Sequence, residues 1–173
     1  MTSELRVDKI IPVDGVPSDS GSNPLYRGAG GVVQVVYAQT RSQQQTTSST
    51  YVDATNLFVD ITPKFSTSKI LIQCNCPMTV LAGGDNDQNS GCLKVSRGGS
   101  GGVSVDSENR GVSMQYGSHS QYSDVHILFL DSPNTTSSTT YTVMMRRTSG
   151  TTTYSFIRDG QQTASLVLME ISA

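Results

Sequence analysis

Ile70-Leu71-Ile72-Gln73-Cys74-Asn75-Cys76 alternates with a period of two: Ile70, Ile72, Cys74 and Cys76 point one way, and Leu71, Gln73 and Asn75 the other. Successive side chains of an extended chain face opposite sides, so this run reads as a strand. The pattern recurs on both sides of it. Upstream, Val32-Val33-Gln34-Val35-Val36-Tyr37 is β-branched and too short for a helix, and Leu57, Val59 and Ile61 alternate with Phe58, Asp60 and Thr62 until Pro63 stops the run. Downstream, Val125, Ile127 and Phe129 alternate with His126, Leu128 and Leu130, and Tyr141, Val143 and Met145 with Thr142, Met144 and Arg146. The last apolar run is Leu166-Val167-Leu168-Met169-Glu170-Ile171. No stretch of a dozen residues carries a 3.6-residue apolar period. The expected fold is all-β: an antiparallel, jelly-roll-like β-sandwich of about eight strands over residues 31–173.

The connections carry their own signals. Thr62-Pro63-Lys64-Phe65-Ser66-Thr67-Ser68 and Asp131-Ser132-Pro133-Asn134-Thr135-Thr136-Ser137-Ser138 are each a strand end, a proline turn and a Ser/Thr loop, and read as related corners. From Leu81 to Gly117 the alternation thins, and the glycine-dense runs 82–87 and 97–102 read as surface loops.

Residues 1–30 read differently. Glu4-Leu5-Arg6-Val7-Asp8-Lys9-Ile10-Ile11 has a short alternating start, and Pro12, Pro17 and Pro24 with Gly and Ser then dilute the apolar content below what a core needs. Such a segment suits an extended peptide that adds to another subunit, followed by a spacer, with Leu5, Val7, Ile10 and Ile11 as the gripping residues.

At 173 residues the chain suits one domain plus this appendage. Charged residues make up 15% and the net charge is −2, which supplies no basic patch for phosphates, so nucleic acid is not an expected partner. Ser, Thr, Gln, Asn and Gly crowd the segments between apolar runs, giving a hydroxyl-rich surface. No apolar run approaches the roughly 20 residues that span a bilayer, so no membrane insertion is expected. The N-terminus has no export-signal pattern, which implies synthesis in a cytoplasm. Cys74, Cys76 and Cys92 are odd in number and lack Cys-x-x-Cys spacing, so buried reduced thiols are expected.

The search for chemistry returns weak patterns. Asp85-Asn86-Asp87-Gln88-Asn89-Ser90 starts like a calcium loop, but the sixth position is Ser90 and the twelfth is Ser96, where glycine and glutamate are needed. His119 and His126 lack the partners of a zinc site apart from Asp124. Ser118, His119 and Asp124 form a triad only on paper, without a Gly-x-Ser-x-Gly elbow. Gly98 to Gly102 lacks the Gly-Lys-Ser/Thr ending of a phosphate loop, and nothing marks Asp106 or Glu108 as a glycosidase carboxylate. No cofactor, metal or enzymatic activity is expected. A receptor-contact surface is harder to dismiss: Tyr116, His119 and Tyr122 sit in a polar stretch where a ring can stack on a sugar, with Asn86, Asp87 and Arg97 able to bond hydroxyls, although ordinary half-buried strand tyrosines are the favoured reading.

Several runs, taken in order, resemble a known family. These are Ser3-Glu4-Leu5-Arg6-Val7-Asp8-Lys9-Ile10-Ile11-Pro12-Val13-Asp14-Gly15, Gly30-Gly31-Val32-Val33-Gln34-Val35-Val36, Ile61-Thr62-Pro63 and Ser66-Thr67-Ser68-Lys69-Ile70-Leu71-Ile72. Phe129-Leu130-Asp131-Ser132-Pro133, Thr139-Thr140-Tyr141-Thr142-Val143 and Met169-Glu170-Ile171 follow. The chain resembles tail-fibre or virion-fibre structural proteins of tailed bacteriophages of aquatic hosts such as cyanobacteria; its middle third carries none of the likeness. The resemblance implies a homotrimeric β-rich head on an N-terminal virion-attachment peptide, assembled in the host cytoplasm, with no catalytic residues.

Val32, Val33, Val35 and Val36, with Leu166 to Met169, supply apolar side chains to both faces of the first and last strands. If these strands lie side by side, the surplus forms one patch that copies of the chain can bury, with Val33, Val35, Leu166 and Leu168 as interface residues. The expected function is a trimeric tail-fibre, tail-tip or baseplate-associated virion protein anchored by its N-terminus, with the head's own part in host attachment left open. The alternatives are a carbohydrate-binding adhesin, a head fibre or decoration protein, and, least supported, a polysaccharide-degrading enzyme.

Overall fold

The computed structural model describes residues 30–80, 89–99, 101–105, 112–116, 121–149, 154–156 and 162–172. Among them are eleven strands: β1 (Val32–Thr40), β2 (Gln44–Thr46), β3 (Val52–Ile61), β4 (Lys69–Val80), β5 (Asn89–Arg97), β6 (Val103–Ser104), β7 (Val112–Tyr116), β8 (Gln121–Asp131), β9 (Thr139–Ser149), β10 (Tyr154–Phe156) and β11 (Ala164–Ile171).

They form two antiparallel sheets. The first runs β1-β11-β4-β8, and β10 and β2 extend it at the far end of β4. The second runs β3-β9-β5, whose other edge is shared by β7 and the short β6. Without the short strands β2, β6 and β10, the eight principal strands follow the order 1-8-3-6 over 2-7-4-5. That is the strand order of a jelly roll, two Greek keys folded into facing sheets.

The core lies between the sheets and comes from the faces the alternation selects. Ile70, Ile72, Cys74 and Cys76 of β4 meet Leu57, Val59 and Ile61 of β3, Leu93 and Val95 of β5, Tyr141, Val143 and Met145 of β9, and Leu166 and Leu168 of β11. All three cysteines are buried, and the Sγ atoms of Cys74 and Cys76 lie 3.2 Å apart on one face of β4. Burial and the contact with Cys74 push the Cys76 thiol well above the usual thiol range, the contact being the larger cause.

Two expectations need correction. The middle third is not simply loop: β5 is a central strand of the second sheet, and β7 also lies in this region. Its alternation is faint because both faces of β5 are buried, Leu93 and Val95 in the core and Cys92, Lys94 and Ser96 on the outer side. On that outer side Tyr51 lies between two cations, Lys94 Nζ at 4.2 Å and Arg146 Cζ at 4.6 Å from the ring centre, with its hydroxyl 3.1 Å from Cys92 Sγ. Between β5 and β6 the Gly102 N–H donates to the Gly99 carbonyl (3.0 Å). Gly98 and Gly99 have φ of +88° and +78°, and a side chain at Gly102 would strike the Arg97 carbonyl.

The second correction concerns Leu166 and Leu168. They are fully buried within the chain because β11 lies between β1 and β4 and turns them toward the other sheet. They are core residues and present nothing to a neighbouring copy. Residues 1–29, with Leu5, Val7, Ile10 and Ile11, lie outside the described residues.

Candidate functional site: two ends and one open face

The strand registers give the sandwich two different ends. Val32, Ile171, Lys69 and Asp131 lie along one end of the first sheet. Both proline corners join strands here, as does the β5–β6 turn. Three groups of hydrogen bonds brace it.

The first joins the two termini of the described chain: Gly30 N–H donates to the Ser172 carbonyl (2.8 Å), Ser172 N–H to the Gly31 carbonyl (2.9 Å), and Gly31 N–H to Ser172 Oγ (3.2 Å). The second centres on Glu170, fully buried at an inward position of β11. Its Oε1 accepts the backbone N–H groups of Lys64 (2.7 Å) and Phe65 (3.2 Å) in the first corner, and its Oε2 accepts Gln34 Nε2 (2.6 Å), which also reaches the Thr62 carbonyl. A corner cannot pair its backbone in a ladder, and a carboxylate at this point satisfies two of its donors.

The third group holds the other corner. Arg97 Nη1 reaches both oxygens of Asp131 (3.1 and 3.0 Å) and the Ser132 carbonyl, Tyr141 Oη donates to Asp131 Oδ2 at 2.6 Å, and Lys69 Nζ donates to Ser132 Oγ. The two corners are braced differently: Glu170 accepts backbone N–H groups of the first, whereas at the second Arg97 links the Asp131 carboxylate to the Ser132 carbonyl. Arg97 Nη1 belongs to this bracing, at the end of the sandwich opposite Tyr122.

Burial, and then the bond to Asp131, push the Tyr141 phenol well above the usual range. An unfolded tyrosine ionises near pH 10, so the folded state holds this proton more tightly and stability falls as pH rises above about 10. Burial, followed by Cys92, raises Tyr51 as well. The alkaline loss in Tyr141→Phe is therefore expected to be shallower than in the parent, while neutral-pH stability falls by about 1.5–3 kcal/mol for the lost bond to a charged group. Urea titrations at about pH 8 and pH 11 measure both; equal alkaline slopes contradict the assignment.

At the opposite end lie Val80, Asn89, Tyr116, Gln121 and Ser149. Of the candidate receptor-contact residues, Tyr116 ends β7 and Tyr122 begins β8, and Tyr122 is 50% exposed. The Tyr116 side chain and His119 lie outside the described residues, as do Asn86, Asp87, Asp106, Glu108 and Ser118. The start of the calcium-like run, 85–88, falls there too. Asp124 and His126 are exposed on β8.

The first sheet's outer face is the third feature. Val35, Met169, Leu71 and Leu130 line up across β1, β11, β4 and β8, and Tyr37, Val167, Gln73 and Leu128 form the next row. Its edge-strand side chains stand well into solvent: Val35 51%, Tyr37 68%, Leu128 70% and Leu130 52%. Of the expected interface residues, Val35 belongs to this face, and Val33 is half-buried beside the β1 irregularity. Sequence reasoning missed Tyr37, Leu128 and Leu130. The signal was present in Ile127-Leu128-Phe129-Leu130, four consecutive apolar residues that apply to β8 the same two-faced argument used for β1 and β11.

No protein-family model and no curated protein sequence matches this chain. Among solved structures, a chain of the T13 infectious bursal disease virus particle is similar at TM-score 0.42 and 11% identity, over 81% of this chain and 36% of that one. A chain of the Gx strain of the same virus gives 0.40 and 11%, over 98% and 43%. A chain of deformed wing virus, a honeybee pathogen, gives 0.24 and 9%, over 100% and 52%. This chain spans less than half the length of the first two. Likeness at this level assigns neither family nor function, and the fold rests on the strand order itself.

Proposed function

We propose that the chain is a non-enzymatic structural protein of a virion: a trimeric tail-fibre or tail-tip protein, tethered to other virion proteins by residues 1–30 and assembled in the host cytoplasm. The observation that carries this reading is the two-ended sandwich. The chain enters β1 at the braced end, beside Ser172, while Tyr122 stands exposed near the other end. A tether entering a stiff end leaves the far end free to meet a host surface. The order of the fibre-like sequence runs supports the same assignment, and both proline-corner runs and Met169-Glu170-Ile171 belong to the bracing.

Deleting residues 1–28 is expected to leave a soluble, β-rich head that no longer enters particles, since the described bonds of the brace are made by Gly30 and the residues after it. Circular dichroism of the truncated protein and immunoblots of purified particles decide it; a head that fails to fold, or one still incorporated, overturns the tether. A second reading, a carbohydrate-binding adhesin, is favoured by the exposed Tyr122 ring. Glycan-array binding lost in both Tyr116→Ala and Tyr122→Ala is its test.

A further inference from the structure

We propose that an open pocket at the far ends of β1 and β11 binds a carboxylate-bearing sugar, a uronic acid unit of a larger glycan, through Arg41. This deepens the carbohydrate-binding reading above, rests on it for its setting, and puts the contact on the opposite edge of the sheet from Tyr122. The pocket measures about 210 Å³ and is lined by Gln39, Thr40, Arg41 and Thr163. It lies where Thr40 pairs with Ala164, about 26 Å along β1 from Val32 at the braced end.

Charge selects the anion. Arg41 Nε donates to Thr163 Oγ1 at 3.0 Å, which fixes the plane of the guanidinium and leaves its Nη1 and Nη2 edge for a ligand. Among the described residues no carboxylate pairs with Arg41, and the described ion pair, Arg97 with Asp131, lies at the braced end. Asp124, exposed on the same sheet, is on β8, three strand spacings or about 14 Å away. Two parallel N–H groups match the two oxygens of a carboxylate, a geometry that an ammonium group does not offer.

The rest of the lining selects a sugar as the carrier. Thr163 Oγ1 accepts from Arg41, and Thr40 Oγ1 accepts from the Ser42 N–H at 3.2 Å, so each hydroxyl keeps its own proton for an acceptor in the pocket. Gln39 is exposed beside them and adds an amide that both donates and accepts. Among the described residues that line the pocket none is apolar, so an acidic peptide gains nothing for its neighbouring side chains. A ring with one carboxylate and several hydroxyls uses every group present. The surface continues in kind: Gln39–Ser165–Asn75–His126 forms a polar row across β1, β11, β4 and β8, along which further units of a glycan can lie.

Isothermal titration of the full chain with short oligomers of galacturonate and of mannuronate, each beside its methyl ester, tests this. The ester keeps the hydroxyls and the length but removes the charge. One of the acids is expected to bind about tenfold or more tightly than its ester, as the loss of a charge-assisted hydrogen bond predicts. Arg41→Gln should weaken the acid by a similar factor and leave the ester unchanged, and Arg41→Lys, which keeps the charge without the fork, should fall between. Arg41 is exposed, so the circular dichroism spectrum should not change in either variant. Failure of both acids to bind, equal binding of acid and ester, or acid binding unaffected by Arg41→Gln overturns the proposal. The carbohydrate-binding reading fails separately. Neutral glycans that bind through Tyr122 while the acids do not would uphold that reading without this pocket. Acids that bind through Arg41 yet do not block adsorption of particles to host cells would uphold the pocket and refute the adhesin role.

Discussion

Glu170→Ala is expected to lower the unfolding free energy by roughly 3–5 kcal/mol, a large share of the 5–15 kcal/mol typical of a domain. Part of the cost is the cavity that a fully buried side chain leaves. The rest comes from lost bonds: the N–H groups of Lys64 and Phe65 and the Gln34 amide lose their acceptor. Glu170→Gln separates this mechanism from simple loss of volume. Its remaining oxygen can serve the two backbone donors, and Gln34 can turn its own amide to accept from the new NH₂, giving up the bond to Thr62. Its cost should be about 1 kcal/mol. Equal losses in the two variants by urea denaturation would show that the carboxylate does not hold the corner.

The second large effect compares the two faces of one sheet. Leu168→Ala should cost about 2–5 kcal/mol, because a fully buried side chain leaves a cavity between the sheets. Leu128→Ala, on the outer face of β8 where the side chain stands in solvent, should cost less than about 0.5 kcal/mol. Thermal melts of both variants measure the difference. Similar losses would mean that the outer face is packed within one chain.

The strands legible in the sequence were those with one apolar side. Ile70 to Cys76 and Leu57 to Ile61 alternate as they pack, and Pro63 and Pro133 mark corners that the chain does turn. What was hidden follows from burial on two sides or from partners distant in sequence. Nothing in Asn89 to Arg97 reveals that Cys92, Lys94 and Ser96 lie buried on the face opposite Leu93 and Val95, because small and polar residues also fill the outer side. Leu166 and Leu168 could not be separated from Val167 and Met169, since a strand apolar on both faces does not say which face is the core. The bend in β3 is similar: its ladder slips between Asp53 and Phe58, with Asn56 at φ of 64° and the Gln44 side chain bonded to Asp53 and Thr55, a partner that a local pattern does not announce. Glu170 did leave a trace, a lone carboxylate inside an apolar run at an inward position; its meaning required the distant Lys64 and Gln34. Among the receptor-contact candidates, the exposed Tyr122 ring alone has a described environment to weigh.

The place of β11 sets the timetable of folding. It follows every other described strand in the chain, yet it pairs with β1 on one side and β4 on the other. Until residues 164–171 emerge, β1 and β4 have no strand between them, and the nascent chain carries two unpaired strand edges and the inner faces of Ile70, Ile72 and Cys74 exposed to water. Closure of this sheet is therefore a late, non-local event, slow in the way high contact order makes pairing slow. A ribosome stalled before residue 164 would hold a sticky half-sheet, whereas completion of the last strand joins the two ends of the domain in one step.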